Sequence, residues 1–292
     1  MCRLAEEIIH VLECNGSEGH RQTRHGLEFI CTSAVRSGAR KCILPLEIKG
    51  RDTEEAILES EAAASAAAAV LKEDGEYPLI ITEDRWRSRR EMMEARLLAH
   101  LEIFTQIYAR NCEIKRMEKG EAADFLAKNH SYGDAACRYR YGIFLKRHTG
   151  HNRLSEAVSP GTLVAVATFS NARKWIKGGK TIRSYEWTRY ASLPGIRISG
   201  GMGKVLKTFI QDIHPDDIMS YADLEWSEGE VYRTLGFSLE GQKEPVLFRI
   251  DAGWRRFPVR TGRADEPEMT EGEKYFRNFG SNKYRIKITD YE

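Results

Sequence analysis

The second half of the chain switches repeatedly between two hydrophobic periods. "RYRYGIFLK" (138–146) and "GTLVAVATFSNARKW" (161–175) are apolar runs rich in Val, Phe and Tyr; they read as strands joined by the polar loop "RHTGHNRLSEAVSP". "KGEAADFLAKNH" (119–130) and "KVLKTFIQDI" (204–213) repeat their apolar residues every three or four positions and read as helices. Between and after them come the strand "SYEWTRYASL", the turn "PGIRISGGMGK", the strand "DDIMSYAD", the short helix "EGEVYRTLGF" and the strand "PVLFRID". One strand, "QIYARNCEIKRM", precedes this series, and the tail 260–288 is expected to end in another. The order is that of an α/β fold with several antiparallel strands.

The first hundred residues are less regular. "RKCILPLEIKG" and "YPLIITEDRW" are short β-rich runs. "TEEAILESEAAASAAAAVLKEDG" is built from strong helix formers and stops at Asp74-Gly75. "RSRREMMEARLLAHLEIF" has helical spacing behind a basic first turn. We therefore expect an N-terminal α/β accessory region over 1–105 and a second domain over 106–292.

Composition narrows the class. The chain has 292 residues, 41% of them hydrophobic, enough for a sizeable core. No run approaches the roughly 18 apolar residues of a membrane span, and the first residues carry acids where a signal peptide has its apolar core, so a cytoplasmic protein with no membrane partner is expected. The six cysteines are scattered, without Cys/His spacing for a metal, so reduced thiols and no metal site are expected. A net charge of +2 conceals an uneven distribution: residues 138–183 hold 10 Lys and Arg against one acid, Glu156. There Arg138 and Arg140 in "CRYRYGIFLKRHTGHNR", and Arg173, Lys174 and Lys177 in "NARKWIKGGKTIR", interleave with aromatic residues. That pattern serves phosphate contact and base stacking, so DNA is the expected partner.

The run of motifs from about 107 to 251 resembles the GNAT superfamily of N-acyltransferases. "SYEWTRYASL" matches its central strand, "GIRISGGMGK" its pyrophosphate loop, "DIMSYAD" its splayed strand and "VYRTLGF" the short helix that follows. More narrowly, "NHSYG", "ATFSNAR", "YEWTRY", "GGMGK" and "SYADLEWSEGEVYRTLGF" resemble phage proteins of the Mom type, which acylate adenine in DNA, and related proteins of mobile elements. In some of the latter a nuclease-like segment with a stretch similar to "EDRW" precedes the domain. The resemblance implies a mixed, mostly antiparallel sheet flanked by helices, an acyl-CoA donor, and an exocyclic base amine as acceptor. An acceptor that is a small amine or a protein, and a non-catalytic DNA-binding accessory, are the alternative expectations.

The residues fit the roles that such a reaction needs. Gly200, Gly201 and Gly203 allow close backbone approach to an anion at a helix N-terminus, with Arg197 before them and Lys204 after them as charges. Met202 departs from the family pattern, which has Gly or Ala there. The resemblance makes Tyr232 the acid for a leaving thiolate, and Asp223, at a strand end, can orient or deprotonate the amine. Strict alternation places Tyr185, Trp187 and Arg189 on one face of their strand, with Arg189 seeking a partner such as Asp223 or a phosphate. His130, with Asn129 and Tyr132, ends a helix where a loop over the acceptor would begin. Finally, "LEIKG" offers Glu47 and Lys49 to a PD-(D/E)xK nuclease reading, for which the upstream strand supplies only Glu28.

Overall fold

The computed structural model describes residues 3–147, 158–259 and 272–291. Most of the loop 147–160, with part of the basic run, and the first part of the tail lie outside them, as does Cys2. The fold is mixed α/β. The chain divides into two compact units: residues 1–103, 222–228 and 242–282 form the first, and 104–221, 229–241 and 283–292 the second. Segments 222–228 and 242–282, expected in the second domain, thus cluster with the first.

The first unit opens with α1 (Arg3–Cys14), β1 (His20–Arg24), β2 (Leu27–Ser33), β3 (Arg40–Leu46), α2 (Thr53–Asp74), β4 (Leu79–Thr82), α3 (Glu83–Ser88) and α4 (Arg90–His100). Helix α1 buries Leu4, Ile8, Val11 and Leu12, one stripe at helical spacing. In α2 the Asp52 carboxylate accepts from the Glu54 and Glu55 N–H groups, and Gly75 ends the helix at φ 72°. The sheet runs β1-β2-β3-β4, antiparallel except for β3 and β4, which α2 connects in parallel. Alternation feeds two cores: Ile30, Ile43 and Ile81 pack with α1 and Trp86, whereas Phe29, Leu44 and Ile80 pack with α2. "EDRW" does not continue the strand as expected; it opens α3, where Asp84 and Trp86 are buried.

The second unit continues with β5 (Thr105–Tyr108), the 3₁₀ turn Ala109–Asn111, β6 (Cys112–Arg116), α5 (Lys119–Asn129), β7 (Tyr139–Leu145), β8 (Leu163–Phe169), β9 (Arg173–Lys177), β10 (Lys180–Ser192), β11 (Ile196–Ser199), α6 (Gly201–Ile213), β12 (Asp217–Asp223), α7 (Glu230–Thr234) and β13 (Ser238–Lys243). After it come β14 (Leu247–Ile250), β15 (Arg256–Pro258) and β16 (Lys274–Arg277), a three-stranded sheet of the first unit, and β17 (Ser281–Lys287). The large sheet has the order β13-β17-β12-β10-β8-β7-β6, with β9 also paired to β10. The single strand expected over 106–117 is two, split by the 3₁₀ turn, and the run 161–175 breaks after Phe169 into β8 and β9.

Strands β6 to β8 and β10 pair antiparallel in that sheet, while β10 and β12 run parallel. The last pair restricts itself to Ser184–Asp217, Tyr185–Ile218 and Glu186–Met219. Beyond Glu186 and Met219, β10 is registered on β8 and no longer on β12. Parallel strands that separate while both continue leave a wedge between them.

Candidate functional site

The wedge is held open by side chains. Period-two alternation along β12 buries Ile218, Ser220 and Ala222, so a hydroxyl sits among apolar neighbours one residue past the last ladder pair. Ser220 Oγ lies 2.9 Å from the Trp187 carbonyl, where a ladder bond would otherwise run, and 2.8 Å from the Tyr232 hydroxyl, to which it donates. Tyr232 is embedded in aromatic rings, stacked on Tyr284 at 5.4 Å between centroids and edge-on to Phe237 and Trp187. Burial raises its pKa above the ordinary phenol value, and the Ser220 bond partly opposes the rise. The phenol is therefore protonated at neutral pH and has a donor ready to stabilise its conjugate base.

Strand β10 does not keep strict alternation. Its register on β8 shifts between Trp187 and Arg189, which leaves Thr188 as the extra residue of a β-bulge. Thr188 Oγ1 donates to the Thr168 carbonyl at 3.0 Å, and the Trp187 indole donates to the Arg189 carbonyl at 3.0 Å. The faces therefore exchange: Trp187 packs edge-on with Tyr190 at 6.1 Å, and Arg189 turns the other way. There Arg189 Nε donates to the Gly133 carbonyl at 3.1 Å and Nη1 to the Thr188 carbonyl at 2.8 Å, with the guanidinium over the Tyr132 ring. Its hydrogen-bond partners among the described residues are carbonyls and not Asp223, so it pins the loop after α5. Burial lowers its pKa.

Asp223 falls in the first unit, where its carboxylate accepts from the Glu225 N–H at 3.0 Å and faces Arg85 at 3.7 Å. Neither it nor Ser227 caps α7, whose N-cap is Gly229. Asp223, expected to orient or deprotonate the amine, is thus engaged by Arg85 and the Glu225 N–H within the first unit. His130 ends α5 as expected, and its Nδ1 accepts from the Tyr132 N–H at 3.1 Å. Asn129 donates its side-chain amide to the Phe125 carbonyl within α5.

The glycine turn forms as its sequence implies. Strand β11 ends at Ser199, Gly200 takes φ 75°, and α6 starts at Gly201. A Cβ on Gly201 would stand 2.8 Å from Ile198 Cγ2 and 3.0 Å from the Tyr190 hydroxyl, so only glycine lets α6 start so close to the sheet. The Lys204 N–H closes the first helical bond on the Gly200 carbonyl, at 3.0 Å. The earlier N–H groups and the dipole end are the anion-binding features of such a turn. Gly203 borders Leu235, and exposed Arg197 stacks over Phe104. Lys204, expected as a charge for the phosphates, donates its Nζ to the Ala109 and Cys112 carbonyls at 2.9 and 2.5 Å and ties α6 to the turn before β6.

On the other face of β10, Glu186 and Met219, the last paired residues, line an open cavity of about 900 Å³. Lys119, Asp134, Arg140 and Arg173 also line it. Arg140 Nε and Asp134 Oδ1 are buried there without a hydrogen-bond partner among the described residues, so one donor and one acceptor remain unsatisfied. Of the five basic residues singled out in the sequence, Arg140 and Arg173 thus meet at the cavity. Lys174 and Lys177 stand exposed on β9, and Arg138 is exposed at the start of β7. Sequence reasoning passed over Ser220, Glu186, Asp134 and Lys119. For Ser220 a signal existed, a hydroxyl at an inward position of an apolar strand.

In the first unit, the nuclease reading finds no support. Arg21 bridges the Glu28 carboxylate at 3.3 Å, and Glu47 lies 3.9 Å from Lys49. No cluster of three His, Cys, Asp or Glu able to hold a metal occurs among the described residues. Among them, too, no helix is long and apolar enough to cross a membrane.

No family model and no curated protein matches the chain. Among solved structures it is similar to GNAT acetyltransferases. It shares 17% identity with Eis1 from Mycobacterium abscessus over 48% of this chain and 33% of that one, so it spans about a third of that protein, at a TM-score of 0.33. An acetyltransferase of the GNAT family from Bacillus anthracis shares 14% identity over 61% of this chain and 95% of its own, at 0.31. A mutant AtaT toxin bound to the C-terminus of the antitoxin AtaR and acetyl-CoA shares 14% over 45% and 87%, at 0.27. Scores this low leave the chemistry of the site to its own geometry.

Proposed function

We propose that the second unit is an N-acyltransferase that uses an acyl-CoA donor and acylates an exocyclic amine of a DNA base, adenine foremost. The observation that carries this reading is the parting of β10 and β12 beyond Glu186 and Met219, with Tyr232 and the start of α6 on one side and the cavity on the other. Strands that part in this way can admit a donor and an acceptor between them, the approach that an acyl transfer requires.

The residues present fit an acyl-CoA. Gly200, at φ 75°, makes the turn that starts α6, and the free N–H groups and dipole end there favour a pyrophosphate. When bound, a thioester supplies an activated acyl carbon and a thiolate leaving group. Tyr232 holds the proton that such a thiolate needs, and Ser220 donates to the phenolate left behind. Beyond Glu186 the ladder from β10 to β12 has ended, and backbone N–H groups of β10 on that edge would be the donors for a developing oxyanion. Glu186 faces the cavity and takes the proton of the attacking amine.

The acceptor reading rests on the cavity. An amino-substituted base presents N–H next to a ring-nitrogen acceptor, and Asp134 Oδ1 and Arg140 Nε are an acceptor and a donor awaiting such partners. Arg173 and Lys119 add positive charge for phosphates. The test is mass spectrometry of nucleosides after incubating the protein with acetyl-CoA and single-stranded DNA. Acetylated deoxyadenosine is expected. An acyl group found only on small amines or protein would move the acceptor assignment, and no turnover with any amine would leave a binding protein.

A further inference from the structure

Strands β2 and β3 of the first unit place Cys31 directly opposite Cys42, and their sulfurs lie 3.7 Å apart. We propose that Cys31 and Cys42 are a peroxide-sensitive dithiol that closes to a reversible cross-strand disulfide, a modification site separate from the acyl-transfer site.

The two sulfurs have different surroundings. Cys31 is partly exposed, within 3.7 Å of the Arg40 guanidinium and 3.2 Å of the Gln22 side-chain carbonyl. The bond to Cys31 is also the leading cause of the raised pKa of Arg40, which keeps a full positive charge beside the Cys31 sulfur. Cys42 is buried, donates its S–H to Asp74 Oδ2 at 3.3 Å, and lies 3.3 Å from Arg24 Nη1. Burial and the nearby Cys31 push its pKa up to about 12. An exposed sulfur beside an arginine is the one that a peroxide meets, and a buried thiol facing it is the one that resolves.

The chemistry balances in two steps. The Cys31 thiolate attacks one oxygen of hydrogen peroxide, the O–O bond breaks, and the hydroxide released leaves as water after taking a proton; Cys31 becomes a sulfenic acid. The Cys42 sulfur then attacks the Cys31 sulfur as its proton passes toward Asp74, an S–S bond forms, and the sulfenic oxygen departs as a second water. Two thiols lose two electrons to one peroxide. Asp74 suits the relay because its carboxylate is held below the usual range by its bonds to Arg24, so it is ionised at neutral pH. Closing the bond requires the sulfurs to approach from 3.7 Å to about 2.05 Å across facing strands.

The full-length protein would be treated with hydrogen peroxide, blocked with iodoacetamide, digested without reductant and analysed by mass spectrometry. A Cys31–Cys42 linked peptide is expected at peroxide doses that leave Cys14, Cys112 and Cys137 alkylated, and dithiothreitol should reverse it. Cys42→Ser should trap Cys31 as a sulfenic acid that dimedone labels, whereas Cys31→Ser should leave Cys42 reduced at the same dose. Over-oxidation of wild-type Cys31 without a linked peptide would overturn the proposal. So would a link that forms only in guanidinium, or equal oxidation of Cys42 in Cys31→Ser. Cys31 is the partly exposed member, so its serine variant retains the core if Cys42→Ser does not fold.

Discussion

Ser220 Oγ stands 2.8 Å from the Tyr232 hydroxyl and 2.9 Å from the Trp187 carbonyl, a single proton shared between an acid and a strand edge. While Tyr232 is a phenol the proton can stay directed at the Trp187 carbonyl; once Tyr232 has given up its own, the same proton turns to the phenolate. One side chain therefore both links β12 to β10 where their ladder has ended and tunes the proposed acid.

Replacing Tyr232 with Phe keeps the ring among Tyr284, Phe237 and Trp187, so the fold should survive. The chemical step should slow by roughly 10²-fold, in kcat more than in KM. Ser220→Ala should cost about tenfold by removing the donor to the phenolate. Because burial raises the Tyr232 pKa, the wild-type acid limb should lie above the ordinary phenol value of about 10, and no loss should occur between pH 7 and 9. Single-turnover rates across that range check both statements. A Tyr232→Phe enzyme at the wild-type rate would make the phenol a packing residue.

The glycine turn separates two kinds of constraint. Gly201→Ala puts a Cβ within 2.8 Å of Ile198 and should destabilise the protein by about 1–3 kcal/mol. A Cβ on Gly200 meets only Ala109 at 3.6 Å, so Gly200→Ala should cost about 1 kcal/mol for its positive φ. Both should weaken donor binding. Lys204→Met should lower stability while leaving acyl-CoA affinity nearly unchanged, since its Nζ is spent on two carbonyls. Urea denaturation and calorimetry distinguish these cases, and a large loss of affinity in Lys204→Met would return the lysine to the phosphate site.

These contrasts show which features were legible in the sequence. Helix α6, strand β12 and the glycine turn could be read because their signals are local: periodicity, and φ angles that glycine tolerates. The Thr188 bulge could not, because it arises from register on β8 and not from anything within "YEWTRY". Lys204 looked like a ligand for lack of any sign that two carbonyls across the turn would take it. Glu225 sits in what reads as a solvated turn, yet it is 1% exposed, because its partners Arg85 and Arg256 come from distant parts of the chain.

That buried cluster makes a stability prediction. Arg256 donates to Asp84 at 2.5 Å and to Glu225 at 2.7 Å, with both carboxylates almost wholly buried. The arginine outweighs desolvation and lowers both carboxyl pKa values. Their contribution is present above the unfolded carboxylate range, near pH 4, and is lost as pH falls through the lower folded values. Arg256→Met leaves Arg85, among the described residues, as the one arginine beside two buried carboxylates and should cost about 3–5 kcal/mol at pH 7. In that variant desolvation is opposed mainly by Arg85 and the folded pKa values rise, so protonation relieves the defect. The gap in Tm between wild type and variant should therefore narrow from pH 7 to pH 5; a constant gap would mean that the carboxylates are not what the arginine holds.

The basic residues divide by position, and the division can be measured. Lys174 and Lys177 stand exposed on β9, whereas Arg140 and Arg173 line the cavity with Glu186. Exposed cations that meet phosphates act additively: each phosphate left without its cation should reduce the log–log salt slope of DNA binding by about 0.9. Lys174→Gln with Lys177→Gln should thus flatten the slope by nearly two while leaving the rate at saturating DNA within about twofold. On the proposed reading, Arg140→Gln removes the cavity's unsatisfied donor and should change the slope little, yet it should cost about 1–3 kcal/mol in discrimination between adenine and other bases. Fluorescence titrations at several salt concentrations, paired with nucleoside mass spectrometry, read both quantities. If the β9 pair left the slope unchanged, the basic run would be a solvated face. If Arg140→Gln instead flattened the slope without altering base preference, the cavity would hold a phosphate and the base would have to be recognised elsewhere.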